Sequence, residues 1–467
     1  MAFIGREREL ETLNNLYNRD GFQMLVLYGR RRVGKSTLLK EFIKDKKAVY
    51  YTAIQDSVSS NLEMFAKSIR ETFNDARYAN FNSIEALFSA LGELCSDDRI
   101  VVIIDEFPYL AESDSSVLSV IQKHIDNEWQ NGNMFFILCG SSISFMENKV
   151  LSEKSPLFGR RTSQLKLRPL DYIQSALFTP EYSYEDKALC YGFTGGIPKY
   201  LSLIDPKLSV YNNIIRLFFR EDGYLFEEPQ NLISQEYKNV ALYSSIINAI
   251  ANGASKFSDI CNETGLSATT TTRALNELIS TEIIEKQTAI TEENNKKKAL
   301  YTIKDGMFRF WYRFLPDAIS LINLGKGDKY FVEIVDDLND FMGSVFEDMC
   351  RYFVLNIGID KKLNSTITEV GKWWGTNPRT HEQTDIDVVA LNHRKKEAIL
   401  GECKYRNSLL DKKVLDALRE REGLIDKRYR TVQYLLFSKT GFSDYVIEQC
   451  KDGVINTFTL SDIYEMI

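Results

Sequence analysis

Two groups of residues in this 467-residue chain have the types and spacing needed to handle phosphate. The first is the run Gly29, Arg30, Arg31, Arg32, Val33, Gly34, Lys35, Ser36, followed by Thr37. Its glycines let backbone N–H groups turn inward around phosphates, at the positive end of a following helix. Lys35 supplies a mobile charge for β- and γ-phosphates, and the Ser36 hydroxyl completes a Mg²⁺ shell. Asp105 and Glu106 stand just after the apolar run 100–104. From there Asp105 can hold a magnesium-bound water, and Glu106 can orient or deprotonate a water attacking the γ-phosphate. The expected ligands are ATP and Mg²⁺, and the expected chemistry is hydrolysis.

The second group is Asp387 and, fifteen residues later, Glu402-Cys403-Lys404. Strand periodicity puts Glu402 and Lys404 on one face and Cys403 on the other. Two carboxylates on neighbouring strands can hold one or two Mg²⁺ ions, which prefer oxygen ligands. A lysine beside them can position a metal-bound water for attack on a phosphodiester. Glu347, facing in from a helix, would complete the ligand set. Asp385 shares the strand face of Asp387 and can assist or substitute.

The elements that must carry these residues are legible as alternating patterns. Apolar runs at 22–28, 100–104 and 134–139 alternate with amphipathic stretches, which indicates a parallel sheet flanked by helices. Residues 171–239 read as mainly helical, and 241–304 as three helices and a β-hairpin, a winged-helix pattern. An aromatic segment, 307–315, leads into a last domain from about 330. That domain reads as a helix at 330–355, strands at 365–370, 386–391 and 397–404, a helix at 411–426 and a strand at 431–437. The domain plan is therefore a nucleotide-binding core at 1–170, a helical lid at 171–240 and a winged helix at 241–305. The aromatic connection at 306–329 and an α/β domain at 330–467 complete it.

Several positions keep two readings. Ser141, beyond the third apolar run, either senses the γ-phosphate or simply turns the chain. Arg160 and Arg161 either reach a transferring phosphoryl group or form an ordinary surface pair. Arg30, Arg31 and Arg32 read as surface charge first, and as nucleotide or partner contacts second. Trp373 and Trp374 either stack on unpaired bases or belong to a core.

Composition sets the bounds. The length implies about two to four domains. The N-terminal MAFIGREREL lacks an apolar signal stretch, and no segment reaches membrane-spanning length. Seven scattered cysteines without a CxxC pair suit reduced thiols, so a cytoplasmic location is expected. Three histidines leave little scope for histidine metal chemistry. With a net charge of −7, nucleic acid can be met only by a local patch. Such a patch exists at 394–430, with twelve basic against seven acidic residues. The hairpin region 255–300 has six basic against seven acidic residues, which favours an intramolecular or protein contact over DNA readout. Its lysines cluster in the EENNKKK tract at 292–298.

The segments FIGREREL, GRRRVGKST, VVIIDEFPYL, FFILCGSS, LFGRR and GGIPKYL together resemble the archaeal-type ATPases of the STAND group, relatives of AAA+ proteins. The resemblance covers about residues 1–305. It implies that Phe3, Gly5 and Arg6 lie near the adenine or the nucleotide entrance, and that Pro198 packs near the base from the lid side. It also implies a winged helix acting as an internal clamp.

From about 330 onward, the element order and the D-x14-E-x-K spacing resemble the PD-(D/E)XK nuclease superfamily. That resemblance implies Asp387 and Glu402 as metal ligands, Lys404 as the catalytic lysine and Glu347 as the helix carboxylate. The usual proline before the aspartate is absent: the stretch is Thr384-Asp385-Ile386-Asp387. The layout is similar to the C-terminal domain of unknown function that accompanies archaeal-type ATPases. The expected whole is an α/β multidomain protein: a P-loop NTPase parallel sheet with helical lid, a winged helix, and a restriction-endonuclease-like domain. Its partners would be ATP or ADP and DNA, with no membrane, and a homo-oligomer is compatible. The alternatives are a nucleotide-switched interaction protein with an inactive nuclease fold, and a transcription regulator acting through the winged helix.

Overall fold

The apolar runs become strands because a parallel sheet covered on both faces needs side chains that can be buried on either side. In the computed structural model, which describes residues 3–75, 78, 80–292, 299–359 and 363–466, β1 is Gln23–Tyr28 and β2 is Ala48–Thr52. The strands Ile100–Asp105, Met134–Gly140 and Ser163–Lys166 are β3, β4 and β5. Every residue of β1, β3 and β4 is buried. The order is β2-β3-β4-β1-β5, all parallel. Tyr28 pairs with Gly140 and Ile104 with Leu138, so the carboxyl ends of β1, β4 and β3 lie side by side. Ligands of open α/β sheets bind outside such carboxyl ends.

The chain divides into two units: Met1–Leu170 with Ile197–Tyr200 and Ser280–Glu282, and Asp171–Gly196 with Leu201–Ile279 and Ile283–Ile467. The first contains the β1–β5 sheet.

The second unit contains helices Tyr184–Thr194 and Val210–Phe218, then Val240–Ala251, Phe257–Thr264 and Ala268–Ser280. An antiparallel hairpin follows, β6 (Ile284–Gln287) with β7 (Leu300–Ile303). The lysines 296–298 lie outside the described residues. The aromatic segment expected as a connection is a buried helix, Gly306–Phe314. Phe310 stands 4.6 Å from Phe218 and 5.4 Å from Phe341, ring centre to ring centre. Gly306 permits that fit, since a Cβ there would meet the Gly192 oxygen at 2.5 Å and the Gly195 Cα at 2.7 Å.

The C-terminal sheet is mixed. Its strands are β8 (Glu369–Thr376), β9 (Gln383–Asn392), β10 (Glu397–Lys404), β11 (Arg430–Ser438) and β12 (Ile455–Thr459). The order is β12-β11-β10-β9-β8, with β8, β9 and β10 antiparallel and β10, β11 and β12 parallel. Two expectations need correction. The helix expected at 330–355 is two helices, Gly327–Ile334 and Leu338–Ile359, separated by a short turn. The strand expected at 365–370 begins at Glu369 and runs through both tryptophans.

β8 is an edge strand, and the chain leaving β6 covers it. Ile290 N–H donates to the Lys372 carbonyl at 2.9 Å. Ala289 and Ile290 are buried in one cluster with Trp373, Ile386 and Val389. Covering an edge in this way satisfies backbone groups that would otherwise template foreign strands. Among the described residues no helix is long and apolar enough to cross a membrane.

Candidate functional site

The glycine loop lies between β1 and the helix Lys35–Phe42. Gly29 has φ +156°, and a Cβ there would fall 2.3 Å from the Leu167 oxygen, so only glycine fits. Gly34 caps the helix in the left-handed region. Lys35 is buried, and its Nζ donates to the carbonyls of Gly29 (2.8 Å) and Arg30 (2.9 Å). Burial depresses its pKa, while Cys139, Glu106 and Asp105 oppose the shift. Val33 is buried and Thr37 is exposed on the first helical turn.

Asp105 is buried at the end of β3. Its Oδ2 accepts from Ser36 Oγ at 2.7 Å and from Tyr50 OH at 2.5 Å, and its Oδ1 from Glu106 N–H at 3.0 Å. Glu106 adopts φ +51°, uncommon for a residue with a Cβ. Its Oε2 accepts from Ser141 Oγ at 2.6 Å and Ser141 N–H at 3.3 Å. Lys35, Ser36, Asp105, Glu106 and Ser141 thus meet at three adjacent strand ends. Ser36 and Asp105 offer the oxygen-only donors that Mg²⁺ prefers. Bound there, the ion would neutralise charge between the β- and γ-phosphate oxygens.

The loop is braced from both sides within its unit. Arg6 Nη2 donates to the carbonyls of Val33 (3.1 Å) and Arg168 (2.6 Å), so Arg6 fixes the loop backbone. Phe3 is half-buried and Gly5 has φ +69°. Pro198 lies beside Gly34, where an added Cβ would stand 3.8 Å from its Cγ, and Lys199 N–H donates to the Arg32 carbonyl at 3.4 Å. Arg30 is buried, so the surface-charge reading fails for it. Arg31 donates to Tyr109 OH at 3.1 Å, and Arg32 is half-buried with φ +70°. Arg160 donates two hydrogen bonds to the Asp126 carboxylate, both 2.7 Å, and Arg161 donates to the Leu151 carbonyl at 3.3 Å.

The second group also converges, with companions the sequence did not single out. Glu402 and Asp387 are buried on β10 and β9. Lys404 Nζ is 2.7 Å from Glu402 Oε1 and 3.9 Å from Asp387 Oδ2, and Arg421 Nη1 is 2.5 Å from Glu402 Oε2. Cys403 N–H donates to Asp387 Oδ2 at 3.0 Å, while Arg351 donates to the Asp387 carbonyl at 2.7 Å. Glu347 comes in from the helix Leu338–Ile359 and meets Lys372, whose Nζ is 2.9 Å from Glu347 Oε2. The same ammonium is 3.1 Å from Asp385 Oδ2 and 3.7 Å from Asp387 Oδ1.

Burial, then the neighbouring Asp387, raises the pKa of both Glu347 and Glu402; the adjacent lysines oppose this. Burial acts to lower Lys404, but Glu402, Asp387 and Cys403 together hold that lysine above its ordinary value. The donor types suit a hard divalent cation, yet the arrangement does not. Among the described residues no three Asp, Glu, His or Cys side chains form a group that could hold a metal. The expected set Glu347, Asp387 and Glu402 is instead interleaved with ammonium and guanidinium groups. Trp373 is buried in the core, which rules it out for base stacking, and Trp374 is half-buried.

Lys372 was the missed residue. The misplaced strand hid it, since alternation along β8 is what puts Lys372 and Trp374 opposite to buried Trp373. Tyr50 was missed as well; it sits level with Ile103 on the neighbouring strand, a register no local motif reveals.

The parallel sheet, the glycine loop and the Asp105–Glu106 pair define a P-loop ATPase unit. It matches the family described as an ATPase domain predominantly from Archaea over residues 3–204. A second family, described as archaeal and bacterial proteins of unknown function, matches residues 311–418. The chain belongs to the archaeal-type ATPase family that includes the uncharacterized protein MJECL04 of Methanocaldococcus jannaschii. The two are 34% identical over 443 residues, which cover 95% of this chain and 93% of that one. Among solved structures, the Walker-type ATPase PABY2304 of Pyrococcus abyssi is similar over 67% of this chain and 96% of its own, with 19% identity and a TM-score of 0.49. The ORC2 protein of Aeropyrum pernix is similar over 69% and 94%, with 14% identity and a TM-score of 0.43.

Proposed function

We propose that this ATPase uses its nucleotide cycle to govern a nuclease-like C-terminal domain that acts on nucleic acid, DNA foremost. The observation that carries the proposal is the convergence of Asp387, Glu402 and Lys404 on adjoining strands beside a surface segment rich in Arg and Lys. In the ATPase unit, Lys35 leaves the Gly29 and Arg30 carbonyls to meet the phosphates. Glu106 leaves Ser141 to orient the attacking water, and Ser141 is then free to sense the γ-phosphate. Ser36 and Asp105 are the Mg²⁺ residues of this reading, and Pro198 lies on the nucleotide side of a lid at 171–240. The three helices and hairpin at 241–305 act as a winged helix that clamps within the chain.

In the C-terminal domain, Lys404 and the basic segment 394–430 bind the phosphate backbone, and Asp387, Glu402 and Glu347 are the groups that cleavage would require. A second reading, a nuclease fold that binds without cutting, is favoured by the pairing of every one of these carboxylates with a lysine or arginine. A cleavage assay on single-stranded, duplex and branched DNA, with and without ATP and divalent metal, tests the proposal. Cutting that disappears in Lys404→Ala supports the first reading. Nucleotide-dependent binding without cutting supports the second, and neither activity refutes both.

A further inference from the structure

We infer that Lys372 is a built-in cation that holds the C-terminal acidic centre closed to divalent metal, and that the chain leaving β6 keeps it there. The inference rests on the reading of Asp387 and Glu402 as a nuclease-like centre. Five carboxylates, Glu347, Asp348, Asp385, Asp387 and Glu402, face five cationic side chains, Lys372, Lys404, Arg309, Arg351 and Arg421. Charge is balanced without an ion. Lys372 has the central place in the outer half of this cluster, within 3.7 Å of oxygens from three different carboxylates. Two of those belong to β9 and one to the helix Leu338–Ile359, so the ammonium stands where carboxylates from two elements face one another. An ammonium in that place repels an incoming divalent ion and engages the same oxygens.

The position of Lys372 is not left to its side chain alone. Its carbonyl accepts the Ile290 N–H, and the neighbouring Gly371 is so close to Ile290 that an added Cβ would meet the Ile290 Cβ at 3.3 Å. The segment after β6 is therefore joined to β8 both by a backbone hydrogen bond and by close packing. A cavity of 340 Å³ opens beside the lysine, lined by Glu285 and Gln287 of β6, Arg309, Glu347, Arg351 and Lys372. It gives the lysine side chain space to turn into and acidic Glu285 as an alternative neighbour. An open arrangement would need Lys372 to withdraw from Glu347, Asp385 and Asp387 before those oxygens could serve any ion. A change in the hairpin that shifts β8 alters the balance.

The test is calorimetric titration of the nucleotide-free full chain with Mn²⁺ alone. With the open arrangement a minor state of roughly 1–10%, apparent affinity is held down by that fraction. Lys372→Met is expected to tighten Mn²⁺ binding by about 10–100-fold, and Lys372→Arg to leave it weak. Asp387→Asn should remove the tight site from the Lys372→Met protein. Should Lys372→Met fold poorly without metal, Lys372→Gln provides the same comparison through the rise in thermal midpoint on adding Mn²⁺, expected to exceed that of the wild type. Mn²⁺ affinity unchanged or weakened in both Lys372→Met and Lys372→Gln, but lost in Asp387→Asn, overturns the inference and leaves the metal centre standing. Affinity unaffected by Asp387→Asn overturns the centre itself.

Discussion

Asp105 illustrates how much one carboxylate organises. Its two oxygens accept from Ser36, Tyr50 and the Glu106 N–H, so it ties the phosphate loop, β2 and the start of the next helix to one point. Lys35→Ala removes the only loop side chain able to meet β- and γ-phosphates as a point charge, and tight ATP binding is expected to vanish in a fluorescent-nucleotide titration. Glu106→Gln keeps the shape and the Ser141 contact but loses the base. ATP binding should persist while turnover falls by about 10²–10⁴-fold, measured as phosphate release; unimpaired hydrolysis would remove Glu106 from that role. Tyr50→Phe deletes a hydrogen bond to a charged group, and the nucleotide-free protein should lose about 1.5–3 kcal/mol in urea denaturation. No change would mean that the Tyr50 contact adds nothing to Asp105.

Elements respond to close approach more than to composition. Gly306→Ala would force a methyl against the Gly192 oxygen and Gly195 backbone, separating the helices Tyr184–Thr194 and Gly306–Phe314. A loss of about 1–3 kcal/mol in urea denaturation is expected. The same contrast explains what the sequence disclosed. β1, β3 and β4 announce themselves because burial on both faces demands unbroken apolar runs. β8 contains Gly371, Lys372 and Gly375 and is covered on its edge by residues far away in sequence, so alternation alone put it several residues too early. β12 is five residues long and was not anticipated, since parallel pairing with β11 rather than its own pattern defines it. Asp387, Glu402 and Lys404 were legible from spacing. Lys372, Arg351 and Arg421 were not, because each arrives from a different element and only the folded chain brings them to those carboxylates. The phosphate loop was legible almost whole because its chemistry lies within one short segment, whereas the brace from Arg6 is a long-range contact.

For the whole molecule, the proposal places nucleotide and nucleic acid at separate centres, and any coupling between them is reciprocal. If nucleotide changes the arrangement that nucleic acid meets, nucleic acid must change nucleotide affinity by the same factor. Under the proposal, DNA binding through the basic balance at 394–430 would depend steeply on salt, so affinities are comparable only at one ionic strength. The most direct measurement is the DNA affinity of Glu106→Gln protein held nucleotide-free, with ADP and with ATP, at one fixed salt concentration and without divalent-dependent cutting. Coupling between the two centres predicts a difference of roughly 5–150-fold between at least two of the three states, mirrored in nucleotide affinity with and without DNA. Equal DNA affinity in all three states would contradict it.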